Sequence, residues 1–241
     1  MALAQSLPIT VLLIILETVV GGTLVLLFTD FEGRASPGFL ITSGLIFAAG
    51  AGLAFLLRFG YGSAAEAIGP LVAGLVGLLV AYAVLLMLKW RAIARIIAVA
   101  SVVLGAVVLV RSAMLQPSFA GLDTVSLALA TLVLGTAMTA LLLGHWYLVT
   151  PLLSAQSLRR VTEILMVGLA LQVLLVIGTF FPFAGAEVAR RASLLLSTYS
   201  FVFWFRVIVG LAFPILLAAL TWRSCRLRAM QTATGLLYIV V

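Results

Sequence analysis

The sequence predicts an all-α protein, a polytopic integral membrane helix bundle of about eight transmembrane helices. Three observations predict it. Of the 241 residues, 65% are hydrophobic and 9% charged, and the mean hydropathy is +1.34. A soluble domain of this length needs far more polar surface. Apolar runs near the length of a bilayer crossing recur along the chain. These runs are continuous rather than alternating, so helices and not barrel strands must pair the backbone groups in lipid.

The elements follow in order. Helix 1 is expected over about Leu7–Phe28, with Pro8 in its first turn, where a missing amide is tolerated. The loop "TDFEGRASPG" leads to helix 2 over about Phe39–Leu57, and helix 3 covers about Ile68–Leu88. Helix 4 covers about Ala92–Val110, and "RSAMLQPSFAGLD" forms the next loop. Helix 5 runs over about Thr124–Val149 to the stop at Pro151, and helix 6 over about Val161–Phe181 to the stop at Pro182. Helix 7 covers about Ser197–Thr221, with Pro214 expected to kink it. The eighth begins near Ala229, and its thirteen residues to Val241 reach only about 20 Å of a roughly 30 Å core. The chain is therefore expected to continue past Val241 as one transmembrane domain. No Lys or Arg precedes the first run, which is itself of spanning length, so a cleavable signal peptide is not expected.

Charges orient the spans. With loops on alternating sides, Arg34, Lys89, Arg91, Arg95, Arg159, Arg160, Arg223, Arg226 and Arg228 share one side. Arg58, Arg111, Arg190 and Arg191 share the other. The first side is expected to be cytoplasmic and the N-terminus external. Trp90, Trp146 and Trp222 end helices 3, 5 and 7 on that same side, as an interfacial aromatic belt does. This scatter of basic residues between apolar runs accounts for the net charge of +7. The expected partners are the bilayer and other membrane subunits, not nucleic acid. "KWRAIAR" and "TWRSCR" echo each other four helices apart. The echo fits two four-helix units, or chance, since Trp–Arg is common at interfaces. Gly44, Ala48 and Gly52 place small residues at helical spacing in helix 2, which lets helices approach closely.

One cysteine, Cys225, and one histidine, His145, exclude an internal disulfide, an iron–sulfur cluster and bis-histidine haem held by this chain alone. No metal site is expected, nor any covalently or metal-ligated cofactor. No phosphate loop, zinc spacing or nucleophile triad occurs, and "GAGLAFLLRFG" lies inside an apolar run with no strand before it.

Charges inside a span are expensive and point to function or to pairing. Glu17 lies within helix 1 and Arg206 within helix 7, each about nine or ten residues from its external end. An ion pair between them is expected, either structural or serving to handle a proton or a polar headgroup. A second cluster lies at the basic end. His145, Trp146 and Tyr147 close helix 5, and Arg159, Arg160 and Glu163 open helix 6 across a short loop. His145 is expected near those three residues, as a proton or hydrogen-bond donor to a quinone-like or anionic headgroup, or as a plain interfacial histidine, and not as a haem or metal ligand. The Glu17–Arg206 level ranks above this cluster as a headgroup site. Gln172, Thr18, Thr139, Thr179 and Ser200 are weaker polar candidates that their own helices can satisfy.

The eight-helix layout, "ETVVGGTLVLLFTD" in helix 1, "RVIVGLAFP" in helix 7 and "TATGLLYI" at the end resemble the membrane-anchor subunits of quinone-linked oxidoreductases of the polysulfide reductase and dimethyl sulfoxide reductase type. That resemblance implies an anchor without haem, which binds quinone near a membrane surface and passes electrons to an iron–sulfur partner. It assigns no residue here. Three functions stand open: a quinone-interacting subunit of a redox complex in the inner membrane, a small-solute or ion transporter, and a structural scaffold subunit.

Overall fold

The computed structural model describes residues 3–33, 35–57, 63–114, 121–150, 155–178, 193, 197 and 200–240. Its helices are α1 (Leu3–Phe31), α2 (Pro37–Leu57), α3 (Ser63–Met87), α4 (Arg91–Ala113), α5 (Gly121–Val149) and α6 (Ala155–Gly178). Then follow α7 (Ser200–Val207), a π-helical turn (Ile208–Ala212), α8 (Phe213–Arg226) and α9 (Met230–Val240). No strand occurs among the described residues. Among the described residues, seven helical stretches are long and apolar enough to cross a membrane. The π turn and α8 lie in the seventh, and α9 is a shorter apolar helix. The chain is thus a polytopic helical bundle.

Three boundary expectations change. α1 starts at Leu3, so Pro8 lies within the helix rather than in its first turn. α3 starts at Ser63, which places Pro70 inside a span that was expected to begin beside it. The seventh span is not a simple kinked helix. Its backbone widens to π geometry at Ile208–Ala212 and resumes as α8, with Pro214 in the opening turn. The missing proline amide leaves a carbonyl of the π turn without its helical donor. The expected end of helix 6 at Phe181, as well as Arg34, Arg58, Thr179, Arg190 and Arg191, lies outside the described residues.

α1 is the hub. It packs against α5, α4 and α2, and so joins early and late parts of the chain. Two-thirds of its apolar window (67%) is buried, the largest share of any span. Between helices in lipid the hydrophobic effect gives little, so association rests on close van der Waals packing. The α1–α5 crossing shows how close. Gly21 lies against the Thr131 carbonyl, and a Cβ there would sit 2.8 Å from the carbonyl carbon and nearer still to its oxygen. Of the small residues expected to ease packing, Gly44 lies under the Tyr82 ring of α3 and Ala48 is buried, whereas Gly52 faces open space. Several buried threonines are satisfied locally: Thr23, Thr131, Thr136 and Thr162 each donate to the carbonyl four residues back.

The tryptophan-rich ends of α3 and α8 stop in the same way. Lys89 and Arg228 take left-handed backbone angles, with φ of 64° and 57°. Behind Lys89 the Trp90 amide bonds the Leu85 carbonyl at 2.9 Å, and behind Arg228 the Ala229 amide bonds the Ser224 carbonyl at 2.9 Å. This is the glycine-type helix stop, with a basic residue in the glycine's place.

Candidate functional site

The arginine-rich end of the bundle is held by charge. Asp30, in the last turn of α1, is fully buried and faces two arginines in the opening turns of α4. Arg91 donates through Nε to Oδ1 at 2.6 Å, and Arg95 donates through Nε to Oδ2 at 2.7 Å. Arg95 also donates through Nη2 to the Asp30 carbonyl at 2.9 Å, and its guanidinium lies 5.0 Å from the Phe31 ring centroid. A buried carboxylate needs such partners, because desolvation penalises an unpaired charge heavily. One helical turn separates Arg91 from Arg95, so both reach the same carboxylate.

The network continues around α1. Glu32 pairs with Arg160 at the start of α6. On α6, Arg159 donates to Glu163 at 3.1 Å, and the Trp222 indole of α8 donates to the same Glu163 oxygen at 2.9 Å. Arg226 stacks on the Trp222 ring at 4.9 Å. A belt of carboxylates and arginines therefore ties α4, α1, α6 and α8 together at one end. Arg159 and Glu163, four residues apart on α6, form an ion pair. Asp30, Arg91 and Arg95 were not singled out from sequence. The available signal was an acid at the end of an apolar run, facing two arginines four residues apart on the same side.

His145 does not join this belt. It is exposed on the flank of the bundle, where Nδ1 lies 2.9 Å from the Tyr238 hydroxyl of α9. The correction has a packing cause. α9 lies along α5, with the Thr234 hydroxyl donating to the Gly144 carbonyl at 3.0 Å, and this brings Tyr238 level with His145. Arg159, Arg160 and Glu163 turn instead towards α1 and α8. No partner occupies His145 Nε2 among the described residues. Whichever tautomer Tyr238 selects, the second ring nitrogen remains available as donor or acceptor.

Glu17 and Arg206 do not meet. Glu17 is 8% exposed on the central helix and forms no ion pair among the described residues. Arg206 is exposed on α7. Their shared depth was expected from distances along the sequence, and such distances say nothing about lateral neighbours. α1 is central, whereas the π turn and α8 lie at the edge, against α6 and α9. Thr18 bonds its own helix at Ile14, and Thr139 bonds Gly135 and reaches the Gly22 carbonyl of α1 at 3.4 Å. Gln172 and Ser200 are half-buried.

Two further features matter. The Tyr82 hydroxyl and the Trp146 indole nitrogen, both near the arginine-rich end, are buried without a hydrogen-bond partner among the described residues. Between α6 and the seventh span lies an apolar cleft of about 390 Å³, flanked by Val173, Ile177, Phe203, Trp204, Val207 and Leu211. Among the described residues no group of three or more His, Cys, Asp or Glu side chains could hold a metal ion. Comparison with known protein families, with curated proteins and with solved structures gives no match to this chain.

Proposed function

We propose that the chain is an integral membrane subunit of a multi-subunit redox complex, that it receives a quinone from the bilayer, and that it anchors partner subunits. In this reading the membrane is the inner (plasma) membrane, the arginine-rich end is cytoplasmic and the N-terminus external. The observation that carries the reading is the His145–Tyr238 pair. A quinone dissolved in lipid approaches from the side of a bundle. The imidazole is exposed there, near the headgroup level, with one nitrogen steadied by tyrosine and the other open to a carbonyl oxygen. Oxidising a quinol releases two electrons and two protons. The electrons pass to an iron–sulfur partner, and His145 holds the headgroup or accepts a proton from it.

This reading reverses the order given to the two levels from sequence. Glu17 is closed in by α1's neighbours, so a headgroup reaches it only if helices part. A transporter is the second reading. It is favoured by the π interruption in the seventh span, since transporter sites form at broken helices. A scaffold subunit is the third.

The test is photolabelling of the purified chain in lipid nanodiscs with azido-ubiquinone and azido-menaquinone. Saturable labelling is expected on peptides carrying His145 or Tyr238, displaced by the unmodified quinone. His145→Ala should weaken it about tenfold, the equivalent of roughly 1.4 kcal/mol and of one hydrogen bond. Labelling without saturation, or unaltered in both His145→Ala and Tyr238→Phe, refutes the quinone reading and leaves the transporter and the scaffold.

A further inference from the structure

The seventh span is an odd member of the bundle. Only 17% of its apolar window is buried, the least of the seven spans. α6 and α9 cover one side of it. The uncovered side is a continuous stripe: Arg206, Val209, Gly210, Phe213, Leu216 and Leu220 are exposed along it. Most of this stripe is what a lipid-facing helix shows. Three features are not.

The first is Arg206. It lies in the apolar span Phe203–Arg226, three residues in from its start and sixteen from the interfacial Trp222, roughly 24 Å along the helix. No carboxylate reaches it among the described residues. A guanidinium in hydrocarbon is expensive, and it keeps its charge. The second is Gly210, one turn further on. A Cβ built there meets nothing nearer than the Arg206 Cγ at 3.8 Å, so the stripe has a notch beside the charge. Small residues of this kind let a second helix backbone come close. The third is the backbone itself. Pro214 supplies no amide, so the carbonyl it would have bonded, at Val209 or Gly210, lacks that donor at an exposed position. Acyl chains cannot donate a hydrogen bond, but a neighbouring protein side chain can.

We infer that this stripe is the seat of a transmembrane helix from a partner subunit, which carries an aspartate or glutamate level with Arg206. Charge complementarity fixes the partner's chemistry, and the notch fixes its close approach. Within the described spans of a second copy, Glu17 and Asp30 are buried in its own core, Glu163 is held by Arg159 and Trp222, and Asp123 stands at the first residue of its span, so the crosslink must separate a second copy from another subunit. The inference rests on the reading of the chain as a complex subunit but not on quinone binding.

The experiment is photocrosslinking in the organism's own membranes, with benzoylphenylalanine in place of Val209. The expected product joins this chain to a transmembrane segment of another subunit, with an Asp or Glu within one turn of the mapped crosslink. Arg206→Glu should lower the yield about tenfold or more, because it replaces attraction by repulsion in lipid. Arg206→Lys should keep the yield, which controls for loss of fold, and changing the partner's carboxylate to lysine should restore the Arg206→Glu variant. Crosslinks only to lipid, to a second copy, to residues 179–199 of the same chain or to a segment without a carboxylate overturn the inference. So does a yield indifferent to Arg206→Glu. Azido-quinone labelling of the same membranes is read separately, so either claim can fail while the other stands.

Discussion

Replacing Gly21 by alanine adds one methyl group at the tightest point of the bundle. That Cβ would lie 2.8 Å from the Thr131 carbonyl carbon, and ordinary contact begins at 3.4 Å, so α5 must retreat by more than 0.6 Å. The obstacle is backbone, so no rotamer change relieves it. A gap of roughly 0.5–1 Å forfeits a quarter to a half of each contact's dispersion energy, and the α1–α5 seam is the longest that α1 makes. The Thr139 hydroxyl would also lose its reach to the Gly22 carbonyl, now 3.4 Å. Overpacking of this kind costs about 1–3 kcal/mol. Gly52→Ala and Gly77→Ala are the controls. Nothing lies within 4 Å of a Cβ at either position, and each change should stay within about 0.5 kcal/mol of wild type. Unfolding in mixed micelles at increasing SDS fraction, followed by far-ultraviolet circular dichroism, reads the difference. A Gly21→Ala midpoint equal to that of Gly52→Ala would refute the claim that backbone contact governs this crossing.

Asp30→Asn removes the charge that two arginines share, and should destabilise the bundle by about 1.5–3 kcal/mol in the same assay, the range for hydrogen bonds to charged groups. A loss of about 0.3 kcal/mol or less would mean that water already satisfies both guanidinium groups. Single cysteines at Leu227 and Met114, exposed at opposite ends of the seventh and fourth spans, should react with an impermeant maleimide from the cytoplasmic and the external side respectively. Cys225 is buried and should stay silent in both experiments. Labelling of Leu227→Cys in intact cells would invert the topology.

The bundle was legible because apolar run length is a one-dimensional property. Spanning helices need about twenty such residues, whatever they pack against. What the sequence hid was lateral. Glu17 and Arg206 were expected at one depth, yet one sits on the central helix and the other at the rim, and no periodicity encodes that. His145 and Tyr238 are 93 residues apart, and their meeting depends on α9 folding back along α5. Asp30 escaped notice because an acid at a helix end looks solvated until the arginines of another helix close over it. The π turn was half legible. Pro214 announced an interruption, but not that the backbone would widen ahead of it rather than kink. The Trp–Arg echo has a structural counterpart in the two left-handed stops at Lys89 and Arg228.

The placement of α1 at the centre sets an order of events during synthesis. The helix made first is the one that must wait longest for its neighbours. The arginines that neutralise Asp30 follow it by 61 and 65 residues. At about 5–20 residues per second, the first of them trails by roughly 3–12 s. Thr139, which reaches back to Gly22, comes 117 residues later. Until Arg91 emerges the nascent helix holds Asp30 without its arginines and Glu17 within its apolar stretch, and of α1's packing neighbours only α2 has been made. The insertion machinery, or water drawn in beside it, must shelter α1 through that interval. A ribosome stalled before Arg91 would leave this helix in the membrane with both acids uncompensated, and quality-control proteases should clear that fragment faster than one stalled after α5.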